Sequence, residues 1–178
     1  QFDFAALKGS VTSDDALADP YNRRMTLDRD FLTAAAMTGV ITDSHLHERD
    51  RMGRLLAFLA RLTNSGDGWI GVDAARGIGV DPSTAVAIEK GVATRLADRD
   101  PKGVDLGGSV YFLRPSIAPT VCKPRQPLTF RNVLVERLSS AGSFHVKNWM
   151  GTGGSTTRYD LSAEGGVLTS SQPGGGIY

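Results

Sequence analysis

Residues 52–62 carry Met52, Leu55, Leu56, Leu59 and Leu62 at helical spacing, with Arg54 and Arg61 off that stripe and Asn64-Ser65-Gly66 as a stop signal. An apolar stripe of this length must be buried against another element. Just before it, Gly39-Val40-Ile41-Thr42 is a short β-branched run bounded by glycine, the pattern of a buried strand. A strand handing over to an amphipathic helix predicts a helix laid on a sheet, and therefore an α/β fold. The neighbouring segments extend this reading. Residues 4–7 read as the tail of a helix stopped by Gly9, and residues 10–24 as turn-rich and polar. Residues 68–72 and 77–81 read as short extended pieces around a turn at 73–76, and residues 84–89 and 108–113 as strands. Pro115, Pro119, Pro124 and Pro127 then mark an extended segment, residues 132–138 alternate as a strand, and the stretch from Gly151 is rich in Gly, Ser and Thr. The chain divides on this basis into an α/β part, 1–114, and a Pro/Gly-rich β extension, 115–178.

With 178 residues and 40% hydrophobic content there is one domain's worth of core. Twenty basic residues against nineteen acidic ones give a net charge of +1, which supports neither nucleic acid nor an anionic membrane as a partner. No apolar run approaches the roughly 18 residues that span a bilayer. The opening Gln1-Phe2-Asp3-Phe4 has no basic start followed by an apolar core. A first residue other than Met, together with the long C-terminal extension, favours an extracellular or periplasmic location over a cytoplasmic one. Cys122 is alone, which excludes an internal disulfide and a multi-thiolate zinc site and leaves a bridge to another chain open. Nothing in the composition fixes an oligomeric state, and a homo-oligomer is compatible with it.

Chemistry concentrates in the link between strand and helix. Residues 42–55 hold two of the three histidines, three acids (Asp43, Glu48, Asp50) and three arginines (Arg49, Arg51, Arg54). A cation near a helix N-terminus is disfavoured by roughly 0.3–1 kcal/mol. Three arginines there imply an anion shared with the free helical amides, such as a ligand carboxylate. Asp43 and His45 lie two apart at a strand end, which suits the histidine to proton transfer. A second reading takes Asp43, His45 and His47 as the start of a metal site. A catalytic zinc needs at least three protein ligands, an amidohydrolase barrel needs about 250 residues, and only His145 remains downstream. No metal and no cofactor is therefore expected.

The run Asp43-Ser44-His45-Leu46-His47-Glu48-Arg49-Asp50-Arg51-Met52-Gly53-Arg54-Leu55, followed by Gly77-Ile78-Gly79-Val80-Asp81-Pro82-Ser83-Thr84-Ala85, resembles the cyanophycinase family of serine peptidases, which is related to aspartyl dipeptidases. That family has Asp-Gln-His before two spaced arginines and Gly-Arg-Leu, and later a Gly-Ile-Gly-Ile-Asp-Glu-x-Thr-Ala strand. The resemblance covers residues 38–113. It implies a doubly wound three-layer sandwich like that of class I glutamine amidotransferases. It also implies His45 as the general base for a nucleophilic serine, and Asp43, Ser44, Arg49, Arg51 and Arg54 around an acidic substrate. The substrates implied are cyanophycin, a poly-aspartate whose β-carboxyls carry arginine, or aspartyl and β-aspartyl peptides. Ser44 replaces the family's glutamine and Pro82 its glutamate, so Asp81 becomes the candidate acid that orients His45.

A serine peptidase of this kind sets its nucleophile on a strained strand-to-helix turn with small neighbours. Ser10, Ser13, Ser109 and Ser155 lie near glycines, but none follows a strand and opens a helix. The resemblance places the nucleophile just upstream of Gln1, so the expected partner is an N-terminal segment or subunit that carries the serine and completes the sheet. The alternatives are an inactive relative used for binding, suggested by Ser44 and Pro82, and a metal-dependent hydrolase using Asp43, His45 and His47.

Overall fold

The computed structural model describes residues 2–4, 11–29, 34–140, 142–152 and 156–178. In chain order the elements are β1 (Phe2–Phe4), α1 (Ser13–Ala18), β2 (Leu27–Arg29), β3 (Val40–Ser44), α2 (Met52–Thr63), β4 (Arg76–Val80), β5 (Thr84–Glu89), β6 (Val92–Ala97), β7 (Val110–Pro115), β8 (Phe130–Leu138), β9 (Ser143–His145), β10 (Met150–Gly151), β11 (Thr156–Glu164) and β12 (Val167–Ser170). A six-stranded sheet runs β12-β11-β8-β7-β4-β3, a four-stranded sheet runs β10-β9-β6-β5, and β1 pairs with β2.

The helix α2 spans the predicted stripe and ends at Asn64, and every residue in it except Arg61 is buried. It is the crossover between β3 and β4, which pair in parallel from Val40↔Arg76 to Ser44↔Val80. Glycines in β4 let the helical layer come close. A Cβ on Gly77 would meet Leu59 Cδ1 at 3.1 Å, and the space above Gly79 is filled by Leu46. Ile41, Leu55, Leu56, Phe58 and Leu59 are fully buried, each stabilising the fold by about 1.5–3 kcal/mol.

Strand alternation divides the core in two. Ile41, Tyr111, Leu113, Val133, Val135, Tyr159 and Leu161 face the helices, whereas Val40, Ile78, Val110, Phe112 and Leu138 face Ala93, Phe144 and Trp149 of the smaller sheet. Phe130 and Val133 reach the same face although they are three apart. The ladder to β11 shifts there, with Leu161↔Val133 followed by Ala163↔Phe130, and Asn132 takes φ +56°, so β8 carries a bulge. Lys90 and Gly91, both at positive φ, turn β5 into β6 as a tight hairpin.

This architecture overturns the doubly wound α/β sandwich. The chain is predominantly strand, with two α-helices among the described residues, and β3–β4 is the one parallel junction of the large sheet; β4–β7, β7–β8, β8–β11 and β11–β12 are antiparallel. A sheet, not a second helical layer, packs on part of the far face. The single βαβ unit carried a local signal that antiparallel neighbours then interrupt, because hairpins need no crossover helix. Residues 115–178 supply β8, β11 and β12 to the same sheet as β3. The expected helix over 4–7 lies outside the described residues apart from Phe4, which is in β1, while α1 forms in a segment read as turns, closed by a Thr12–Asp15 capping box. Residues 68–72 form no strand, and Val72–Ala74 is a 3₁₀ turn. Cys122 is buried and its thiol is pushed up to about 12, first by burial.

At Gly53 the helices come close together: a Cβ there would lie 2.7 Å from Leu17 Cδ1 and 2.9 Å from Ser13 Cβ. Replacing Gly53 by Val is expected to lower the unfolding free energy by about 1–3 kcal/mol through overpacking. Urea titration of the purified protein checks this; an unchanged midpoint would show that α1 is not packed on α2.

Candidate active site

At the C-terminal end of β3 the chain enters a loop, 45–50, flanked by His45 (φ +52°) and Asp50 (φ +44°). Left-handed conformations at non-glycine residues cost energy and persist where surrounding contacts over-determine them. Those contacts are present. Leu46 N–H donates to Val80 O (3.2 Å), Arg49 N–H to His45 O (3.2 Å) and Arg51 N–H to Leu46 O (2.8 Å). The Asp81 carboxylate accepts from His47 N–H (2.8 Å) through Oδ1 and from Ser109 N–H (2.9 Å) through Oδ2, with Tyr111 Oη 3.4 Å away. Asp81, the expected orienting acid, thus clamps the 45–50 loop to the start of β7.

The acid on His45 is Glu48. Its Oε2 lies 2.6 Å from His45 Nδ1, and the imidazole is 42% exposed. The hydrogen bond to His45, aided by the His45, Arg49 and Arg51 charges, holds the Glu48 carboxyl below the usual carboxylate range. A carboxylate on Nδ1 favours the tautomer whose proton sits there, which leaves the Nε2 lone pair open to receive a proton. Among the described residues, neither a serine oxygen nor any other group hydrogen-bonds Nε2. Glu48 stood in the quoted run without an assigned role. Its signal was the separation of three residues, which brings side chains together once the chain turns.

The arginines separate. Arg54 is 2% exposed and grips Asp43 with two parallel bonds, Nε to Oδ2 at 2.8 Å and Nη2 to Oδ1. Asp43 is itself 7% exposed and its side chain points to the helical layer, whereas Ser44 points to solvent. Arg51 donates to Ser44 O at 2.8 Å and lies 3.9 Å from Asp43 Oδ1, largely covered. Only Arg49 of the three stands in solvent, its Nε 3.8 Å from Glu48.

The amides at the start of α2 are occupied from within the chain. Gly53 N–H donates to Ser13 Oγ at 3.1 Å, and Ser13 Oγ–H donates to Asp50 O. Met52 N–H donates to Tyr178 Oη at 3.1 Å, and Tyr178 O–H donates to Asp50 Oδ1 at 2.6 Å. The Tyr178 ring stacks on His47 (centroids 4.5 Å, 17°) and meets Tyr111 edge-on (6.0 Å). Burial first, then the bond to Asp50, drives the Tyr178 phenol well above its ordinary range. The amides reserved in the sequence reading for an external anion therefore serve Ser13 and Tyr178. These partners lie 40 and 126 residues away, and no local pattern announces them.

Beside Glu48 an open cavity of about 460 Å³ is lined by His47, Glu48, Asp81, Pro82, Leu106, Gly107 and Gly108. Asp43, His45 and His47 take three separate partners, Arg54, Glu48 and Tyr178. Among the described residues no three His, Cys, Asp or Glu side chains gather in a metal-binding group. No family model matches the chain, and no match was found among curated proteins or solved structures.

Two outcomes follow from the supports of this loop. Asp43→Ala leaves a buried guanidinium without its carboxylate and is expected to destabilise the fold by about 3–5 kcal/mol, read by thermal and urea unfolding. Tyr178→Phe retains the stack on His47 but loses both polar contacts, with an expected loss of about 1–2 kcal/mol and faster amide exchange at Met52 by NMR. Unchanged exchange there would contradict the cap.

Proposed function

We propose that this chain is the histidine-bearing part of a serine hydrolase resembling the cyanophycinases, acting on cyanophycin-like or aspartyl and β-aspartyl peptides, with the nucleophile on another segment. The observation that carries this reading is the His45–Glu48 pair: an imidazole at the end of a parallel strand, with Nδ1 on a carboxylate at 2.6 Å and, among the described residues, no hydrogen bond to Nε2. In the proposed reaction Nε2 takes the proton of the incoming serine hydroxyl as its oxygen bonds to the substrate carbonyl carbon. The imidazolium then gives that proton to the departing amine, and a water repeats the sequence to release the acyl group. Glu48 keeps the ring oriented and stabilises its charged form.

Three further observations support the reading. The loop that carries His45 is held by backbone bonds and by Asp81, which suits a group that must be positioned in advance. Arg49 is in solvent next to the pair, where its charge favours approach of an acidic substrate. Among the described residues β3 is the terminal strand of its sheet, with β1 packed beside it, so a serine-bearing segment that extends the sheet would join on this side.

The test uses the protein as isolated from its source, with whatever polypeptide accompanies it. A fluorophosphonate probe is expected to label a serine on the accompanying segment. His45→Ala is expected to lower labelling and peptide turnover by about 10²–10⁴-fold, and Glu48→Gln by less. Absence of any labelled serine would overturn the hydrolase reading and leave a binding role for the site.

A further inference from the structure

The far face of the large sheet is only partly covered. The smaller sheet packs Phe144 and Trp149 onto Val110, Phe112 and Leu138, but the same face continues past them. Arg114 lies two residues beyond Phe112; it is paired across β7–β8 with Leu134, and Leu134 is paired across β8–β11 with Asp160. Alternation brings Ser116 and Arg158 to this face as well. These residues line an open groove of about 450 Å³ together with Asn132, Tyr159 and Ser171. The groove lies on the opposite face of the sheet from Tyr111, Asp43 and α2.

Its charge is unbalanced. Among the described residues neither Arg114 nor Arg158 forms an ion pair, in contrast to Arg51, Arg54, Arg95 and Arg131, each of which has an acidic partner. Asp160 is the one carboxylate among the described lining residues; Glu136, the cross-strand partner of Arg158, is buried and accepts from Gly151 N–H and Thr156 Oγ1 instead. Behind Arg114 stands a third cation, Arg76, which continues the β4–β7 pairing next to Gly77↔Leu113. Arg76 is half-buried, donates to Ala75 O at 2.6 Å and lies 5.5 Å from the Trp149 ring. Burial first, and then the Arg114 charge, make its guanidinium easier to deprotonate than usual, with Asp73 opposing. Like charges on facing strands are destabilising unless a counter-charge is supplied.

We propose that this groove is a binding site for a compact multivalent oxyanion, a phosphate or polycarboxylate group, gripped by the forks of Arg114 and Arg158. Planar guanidinium groups bond such oxygens in pairs, which gives direction as well as charge. The Ser171 hydroxyl and the Asn132 side-chain amide line the remaining wall with groups able to donate, while Ser116 O–H donates to Asn132 O at 2.8 Å. The apolar Leu134 floor sits between the two cations, where water is less able to screen them. The site does not depend on the hydrolase reading, since it shares no residue with the His45 loop.

The experiment is titration of the full chain with sodium pyrophosphate and, separately, sodium citrate, followed by calorimetry and amide NMR at about 0.15 M salt, where the Debye length is roughly 8 Å. Saturable binding of either probe is expected, with shifts centred on Arg114, Asn132, Leu134 and Asp160. Arg114→Gln and Arg158→Gln should each weaken it by about tenfold, whereas Arg131→Gln, at the surface pair with Glu164, should leave it unchanged. Pyrophosphate alone binding assigns the site to phosphate, and citrate alone assigns it to carboxylate. Absence of saturation with both, or equal loss in all three variants, would overturn the proposal. A thermal shift by the same anions in wild type but not in Arg158→Gln separates loss of binding from loss of folding.

Discussion

The candidate site rests on the buried pair between Asp43 and Arg54. One partner is near the end of β3 and the other is in the first turn of α2, and each is almost wholly withdrawn from water. Desolvating two charges is costly, and the cost is offset only where geometry is good and both ends are fully bonded. Here the planar fork meets both carboxylate oxygens, so strand and helix can join in one relative position. A slip of β3 by one residue would turn Asp43 to the opposite face and leave Arg54 buried against apolar side chains. The loop between the two elements inherits its start and finish from this pair.

Around it the chain gathers supports from distant places. Ser13 and Tyr178 satisfy the first amides of α2, and Asp81 holds the His47 amide while bonding Ser109. A rigid base of this kind leaves the His45–Glu48 pair at its rim, the histidine partly exposed and the glutamate in solvent. That division, fixed backbone below and an accessible titratable pair above, is what proton transfer to a second molecule requires.

The legible parts of the fold were those with local causes. The stripe of α2 and the β-branched run of β3 follow from periodicity, and both stand where the pattern puts them. Residues 84–89 were readable as a strand, but their membership in a second sheet was not, because pairing partners lie far along the chain. The bulge at Asn132 and the capping box at Thr12 had signatures in residue type but needed a known frame to be recognised. At the site, His45 and the arginines were visible as a cluster. Which of them faces inward was not, since a loop with two left-handed residues breaks the alternation that would predict side-chain direction.

By itself the sequence determined that a strand, a loop dense in charge and a buried helix follow one another, that titratable groups crowd the loop, and that no long apolar span is present. These are consequences of spacing and composition over a dozen residues. Tertiary structure alone decided that antiparallel strands complete the sheet around a single parallel pair, that Arg54 belongs to Asp43 and Glu48 to His45, and that Tyr178 caps the helix. The physical reason is that a charged side chain's role depends on what surrounds it. Burial turns an arginine into a structural counter-ion, and exposure leaves the same residue free for a ligand.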